Sequence, residues 1–392
     1  MSNTVGGLGV CAALFVFACA HDKGSEGEGG TSGGTLDAAI DASQRTHVDA
    51  QVSDGNHEDA AASSDAAVKL DSSTSAELDA GLDAGSTSPK SICKPGATYG
   101  AALSAMSLTA TKISDTFAFT EGAVWIASDS VLLFSDMQPG TGAQNVQPSK
   151  IQRLSPPSTF DLWLDASGSN GMALSADGST LVAATHDNQG ISLFRLSDKQ
   201  RSTLVSDIDG KGFHSPNDVA VRSDGTVYFT DPNFQQGNRN TNIVDKTSVY
   251  RVGADKKAKL IDDSIDNPNG IALSPDEKTL YVGGAGAVRK YSVNSDGSTG
   301  TSMPFASGLD APDGMTVDCA GNLYVAEYNT GKVHVYAASN GDELGTISAS
   351  VNTTNVAFGG EDGKTLFITS GGAASSGFGI YSIVLGVPGL PY

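Results

Sequence analysis

Basic residues are scarce in this chain. Its 392 residues carry 24 Lys and Arg against 44 Asp and Glu, a formal net charge of −20. That balance argues against nucleic acid and anionic lipid headgroups as partners, since both repel an acidic surface. Long apolar runs are also missing. The run from Leu8 to Ala20 is too short to span a bilayer and has the length of a signal-peptide core. From His21 to Ile92 there is no Phe, Trp or Tyr, and 14 acidic and 4 basic residues are scattered among Ala, Ser, Gly and Thr. Burial of so few apolar side chains cannot offset the entropy of ordering, so the segment reads as a disordered acidic linker. Cysteine is rare as well. Of four, Cys11 and Cys19 fall in the apolar leader, which leaves Cys93 and Cys319. In an exported chain such a pair suggests one disulfide. It would staple the segment ahead of the first repeat described below onto the hairpin of the fifth.

The signatures of several enzyme classes are absent too. There is no P-loop, no dinucleotide-binding fingerprint and no H-E-x-x-H. The one G-x-S-x-G match, Gly30 to Gly34, lies in the linker without a strand before it or a helix after it, so it is no nucleophile elbow. "DIDGKG", Asp207 to Gly212, opens like a calcium loop, but no Glu arrives at the twelfth place. No segment sustains the 3.6-residue period of a helix.

The ends of the chain differ from its middle. The first 19 residues hold no charged side chain and close on "VFAC", Val16 to Cys19. This resembles a lipobox, the bacterial signal that lipidates its Cys. The expected layout is a signal peptide over 1–19 with lipidation at Cys19, a linker over 20–92 and a folded domain over 93–392. The expected location is outside the cytoplasm, as a cell-envelope lipoprotein or a secreted or periplasmic protein. A lipid anchor would be the only membrane contact.

What the folded part does contain is one phrase written six times. The copies are "EGAVWIASDSVLLFSD" at Glu121, "NGMALSADGSTLVAATH" at Asn170, "NDVAVRSDGTVYFTDP" at Asn217, "NGIALSPDEKTLYVGG" at Asn269, "DGMTVDCAGNLYVAEY" at Asp313 and "NVAFGGEDGKTLFITS" at Asn355. Each reads as strand, tight turn, strand, with turn pairs such as Asp177-Gly178, Asp224-Gly225 and Asp362-Gly363. Further short strands, such as "ISLFRL" and "KVHVYAA", lie between copies. A spacing of 42 to 52 residues with about four strands per copy is the signature of a propeller blade. The fold class expected is therefore all-β, a six-bladed β-propeller.

The residue that opens each copy should sit on the innermost strand, next to the axis. All six openers offer a side-chain oxygen. A lone Asn-Gly is usually only a turn, but here the residues recur at one repeat position. Two carboxylates and several amides crowded at an axis are unfavourable unless a cation sits among them. Donors that are all oxygen select a hard cation, Ca²⁺ before another divalent ion, and disfavour Zn²⁺.

The same residues carry a resemblance. "F-x-EG-x-x-W" (Phe119 to Trp125), "SPNDV…SDG…YFTDP", "PNGIALSPDEKTLYV" and "PDGMTVD…GNLYVAE" resemble the gluconolactonase and senescence-marker-protein (regucalcin) family from about Phe117 to Ile383. The resemblance implies a six-bladed propeller with a central Ca²⁺ held by Glu121, Asn217, Asn269 and Asp313. It implies hydrolysis of a sugar lactone or related cyclic ester, with Asp313 as the base for water. Asn170, His186, His214 and Asp218 become candidate substrate contacts. His214 stands where gluconolactonases commonly carry Asn, and Ser215 where the animal relatives carry a substrate-binding Arg. Trp125 and Phe119 read as blade core. The partner expected is a small-molecule lactone, and the chain is expected to act as a monomer. The alternative from a different class is a non-catalytic extracytoplasmic binding module whose calcium only pins the channel.

Overall fold

The computed structural model describes residues 92–390, apart from 95, 115, 141, 351 and 372–378. The expected signal peptide with Cys19, and nearly all of the expected linker, lie outside these residues. Among the described residues no helix is long and apolar enough to cross a membrane. Among the described residues one 3₁₀ turn, Ala143–Asn145, stands beside strands and the loops that join them.

Six antiparallel sheets account for the six copies of the phrase. The innermost strands are Thr120–Ile126, Ser169–Leu174, Val219–Val221, Ile271–Leu273, Pro312–Val317 and Thr353–Gly359, for blades 1 to 6 in chain order. Each is paired through a short hairpin with a second strand, for example Val227–Asp231 in blade 3 and Leu323–Glu327 in blade 5. The hairpins form because the sequence supplies their turn chemistry. Gly225 takes φ +86°, which a side chain would resist, and the Asp224 carboxylate accepts the Thr226 N–H at 2.9 Å. The innermost strands of successive blades touch in turn around the axis, and that of blade 6 returns to that of blade 1. The expected six-bladed β-propeller is therefore the fold.

Six apolar clusters hold the ring, one between each pair of neighbouring blades. Between blades 1 and 6, Trp125 stacks on Phe367 at 5.7 Å, and Gly359 leaves room for the indole. Alternation along each strand explains why one phrase serves both contacts. Successive residues face opposite sides of a blade, and both sides meet a neighbour. Both ends of the folded domain close the circle. Thr111–Ser114 forms the outer strand of blade 6 beside Ile380–Val384, and Ser107–Thr109 adds a fifth, parallel strand to blade 5. Cys93 and Cys319 are joined in a disulfide across a sequence separation of 226. Closing so long a loop removes chain entropy on the order of 5 kcal/mol from the unfolded state in a simple chain-entropy description.

Candidate metal centre at the propeller axis

Strand register sets which residues face the axis. Thr120 pairs with Asp136, Ser169 with Thr185, Pro312 with Glu327 and Thr353 with Ser370. The next residue in each blade is the opener: Glu121, Asn170, Asp313 and, in blade 6, Thr354. Asn355 is thus not an opener. It holds the following position, filled by Gly122, Gly171, Gly270 and Gly314 in four other blades and by Asp218 in blade 3. Thr354 turns its hydroxyl to the Thr120 carbonyl at 2.6 Å and closes blade 6 on blade 1.

Backbone contacts draw the openers together. Ser135 donates to the Asn170 carbonyl at 2.7 Å, the Gly171 N–H to the Asn217 carbonyl at 2.6 Å, and Thr230 to the Asn269 carbonyl at 2.6 Å. A Cβ on Gly270 would lie 2.1 Å from the Asp313 carbonyl oxygen. Asp218 and Asn355, three blades apart, fill the space over the glycines of the preceding blades, Gly171 and Gly314. Each accepts the backbone N–H that follows it, and Asp218 also accepts the Ile271 N–H at 3.2 Å. Both line a narrow axial cavity otherwise walled by apolar side chains, among them Ala123, Met172, Val219 and Ile271.

Glu121, Asn217, Asp218 and Asp313 are buried, each 4–5% exposed. Burial pushes the Glu121 carboxyl well above its usual range, and the nearby Asp313 and Asp218 push it further. Asp313 is raised by burial and then by Asp218, against an Asn269 side-chain hydrogen bond that lowers it. Burial lifts Asp218 to about 7. The side-chain charges that act on Glu121 and Asp313 are thus all negative. Around them, polar atoms are sealed from water without a partner: both side-chain atoms of Asn170, Oδ1 of Asn269 and Oδ1 of Asp313. A hard cation would fit here, because it would neutralise the carboxylates and take the unpaired oxygens of Asn269 and Asp313 as ligands, leaving the Asn170 amide free for another partner. Among the described residues no three His, Cys, Asp or Glu side chains gather closely enough to hold a metal by themselves. Two of the four expected donors, Asn217 and Asn269, are amides.

The remaining candidates occupy different surroundings. His214 lies on the loop leading into Asn217. Its Nδ1 is 3.3 Å from Asp231, which also accepts the backbone N–H groups of His214 and Ser215 at 3.0 and 2.8 Å. His186 is 0% exposed and donates from Nε2 to the Gln147 carbonyl at 2.7 Å, while Nδ1 is left without a partner. Burial pulls its pKa from 6.5 down to about 4, with Asp187 opposing and Arg239 and Arg201 adding to the fall. Because the folded pKa lies below the unfolded one, the fold keeps its full stability above pH 6.5 and loses it as pH falls toward 4, by about 3 kcal/mol from this group. Denaturant titrations at pH 7 and 4.5 are expected to show that loss shrinking in His186→Gln relative to the parent.

One group at the site escaped the sequence reading. Tyr328 follows the second strand of blade 5, its N–H bonded to the Ala311 carbonyl at 3.1 Å beside the loop that carries Asp313. Burial raises its hydroxyl to about 12, with Asp313 and then Glu121 adding to the rise. Its ring stacks on Phe119 at 6.2 Å, so Phe119, expected in a blade core, belongs to a partly buried aromatic wall. The signal available in the sequence was the aromatic residue closing the strand that pairs with the Asp313 strand.

Comparison with known proteins identifies the chain's relatives. The profile describing the SMP-30/Gluconolactonase/LRE-like region matches residues 119–372. A gluconolactonase of Zymomonas mobilis is 32% identical over 291 residues, 66% of this chain and 78% of its own. The pentonolactonase XacC of Haloferax volcanii is 28% identical, over 69% of this chain and 88% of its own. Among solved structures, a gluconolactonase from Xanthomonas campestris superimposes with TM-score 0.61 at 31% identity, covering 74% of this chain and 93% of its own. The chain belongs to the SMP-30/gluconolactonase/LRE-like family.

Proposed function

We propose that this protein hydrolyses a sugar lactone, or a related cyclic ester, with the help of a calcium ion at the propeller axis. The observation that carries the reading is the gathering of Glu121, Asp218 and Asp313 with, among the described residues, no positive side chain acting on Glu121 or Asp313, beside the unpaired oxygens of Asn269 and Asp313. Glu121, Asn217, Asn269 and Asp313 hold the ion. When bound, Ca²⁺ supplies Lewis-acid polarisation of the lactone carbonyl and neutralises the charge that develops on its oxygen. The chain's own residues do the rest. Asp313 Oδ1, without a hydrogen bond inside the protein, takes the proton from the attacking water. Asn170 presents an unpaired amide to substrate hydroxyls. His214, its Nδ1 held by Asp231, directs Nε2 toward the substrate, and Tyr328 offers its hydroxyl from the wall beside Asp313. The relatives named for gluconolactone and pentonolactone hydrolysis support a small sugar lactone as substrate. The protein is proposed to work as an exported monomer, tethered through Cys19.

The test follows acid release from glucono-δ-lactone by the full-length chain. Activity is expected to vanish with chelator and to return with calcium. Tight calcium binding without turnover, across a panel of lactones and aryl esters, would overturn the enzymatic reading and leave a binding module.

A further inference from the structure

We propose that Asp136, Asp231 and Glu327 are positioning residues that hold three of the four metal donors by bracing the loops that lead into them. This rests on the metal reading above and concerns residues outside the donor set.

The three acids occupy one repeat position. Asp136 and Glu327 each pair with the residue before an opener, Thr120 and Pro312. In blade 3 the Asn217 N–H bonds to the Thr230 carbonyl, which places Asp231 at the same height. All three are buried, at most 4% exposed. Each aims a carboxylate oxygen at the backbone of the incoming loop. Asp136 accepts the Ala118 N–H at 3.3 Å, Asp231 accepts those of His214 and Ser215, and Glu327 accepts that of Asp310 at 2.6 Å. In Asp136 and Glu327 the second oxygen is tied to the side of the blade, whereas both oxygens of Asp231 take loop N–H groups and the one that accepts from His214 also faces its ring. Gln152 donates to Asp136 at 3.1 Å, His214 Nδ1 lies 3.3 Å from Asp231, and Thr330 and His334 hold Glu327.

The alternate blades do not share the device. Their equivalents are Thr185, Gly284 and Ser370. Thr185 spends its hydroxyl on its own turn at Asn188 and Gly190, and Ser370 is tied to Gly379. The braced blades are therefore 1, 3 and 5, which carry Glu121, Asn217 and Asp313. A buried carboxylate that accepts at both oxygens fixes the height of the loop behind each donor. Without that fixing, like-charged donors would spread apart before the metal arrives. Outer partners of this kind commonly contribute tenfold to hundredfold in metal affinity.

The test is a direct calcium titration of the full-length chain as wild type, Asp136→Asn, Asp231→Asn and Glu327→Gln, with metal-free melting recorded in parallel. An amide in place of the acid turns an N–H toward a donor it formerly accepted from. Calcium affinity is expected to fall by about ten- to a hundredfold in each variant, with lactone turnover recovering at saturating calcium in Asp136→Asn and Glu327→Gln; in Asp231→Asn, which also loosens His214, only the calcium titration is read. Thr185→Val, at the equivalent unbraced position, is expected to stay within about threefold of wild type. The Asp136 brace has the longest loop contact, so Asp136→Asn is the variant least exposed to misfolding. Variants that melt lower but bind calcium as tightly as wild type would overturn the inference and assign the acids to stability alone. A wild-type chain that binds no calcium would instead overturn the metal reading itself.

Discussion

Asp313→Asn is expected to lower kcat on glucono-δ-lactone by about a thousandfold, measured at calcium concentrations that saturate the variant. Asn keeps an oxygen for the metal but has no basicity to accept a proton from water. The loss of a positioned base costs roughly 10² to 10⁴ in rate. Saturating calcium separates the two roles of Asp313, because a residue needed only as a ligand would regain full turnover once the site is filled. The geometry favours the double role. One carboxylate oxygen lies without a hydrogen bond in a sealed site, and Asn269 restrains the group from the side. Full kcat in the saturated variant would remove Asp313 from proton transfer.

Gly122→Ala is expected to destabilise the fold by roughly 3 kcal/mol or more and to weaken calcium binding with it. Gly122 has φ +44°, and a Cβ there would lie 2.0 Å from the Asn170 carbonyl oxygen and 2.7 Å from Gly171 Cα. The left-handed backbone alone costs an L-residue about 1 kcal/mol. The collision adds more because its target is the innermost strand of blade 2 rather than a flexible side chain. Relief requires that strand to retreat, which separates Glu121 from Asn170. Gly225→Ala, at a turn with nothing within 4 Å, is the comparison. It is expected to cost about 1 kcal/mol and to leave calcium affinity unchanged. Equal melting temperatures for the two variants would show that the inner strands yield easily.

The propeller was legible because its signal is local and repeated. A hairpin needs its apolar alternation and its Asp-Gly turn within sixteen or so residues, and six copies make chance agreement negligible. The positions near the axis were legible for the same reason in five blades. Blade 6 was misread by one residue. Asn355 looks like an opener, yet strand pairing gives that place to Thr354 and puts Asn355 where glycine stands in four other blades. A one-residue slip exchanges the two faces of a strand, and only the partner strand reveals it. Tyr328 and Phe119 were missed as a pair because their contact joins blade 5 to the loop entering blade 1, which no local pattern encodes. The acids Asp136, Asp231 and Glu327 stand in the open in "FSD", "FTD" and "VAE", but their role appears only once the loop N–H groups they accept are known. Residues such as Asp218 show the reverse case. The sequence offers it as a substrate contact, whereas its carboxylate accepts the Val219 and Ile271 N–H groups and its burial beside Glu121 and Asp313 makes it part of the charge at the axis.

The central claim is that the acidic axis exists to hold a cation, and calorimetric titration of the full-length, chelator-stripped chain with calcium tests it most directly. One ion per chain is expected, with binding lost or weakened at least a hundredfold in Glu121→Gln. Absence of binding in the wild type, or binding that Glu121→Gln leaves untouched, would contradict it.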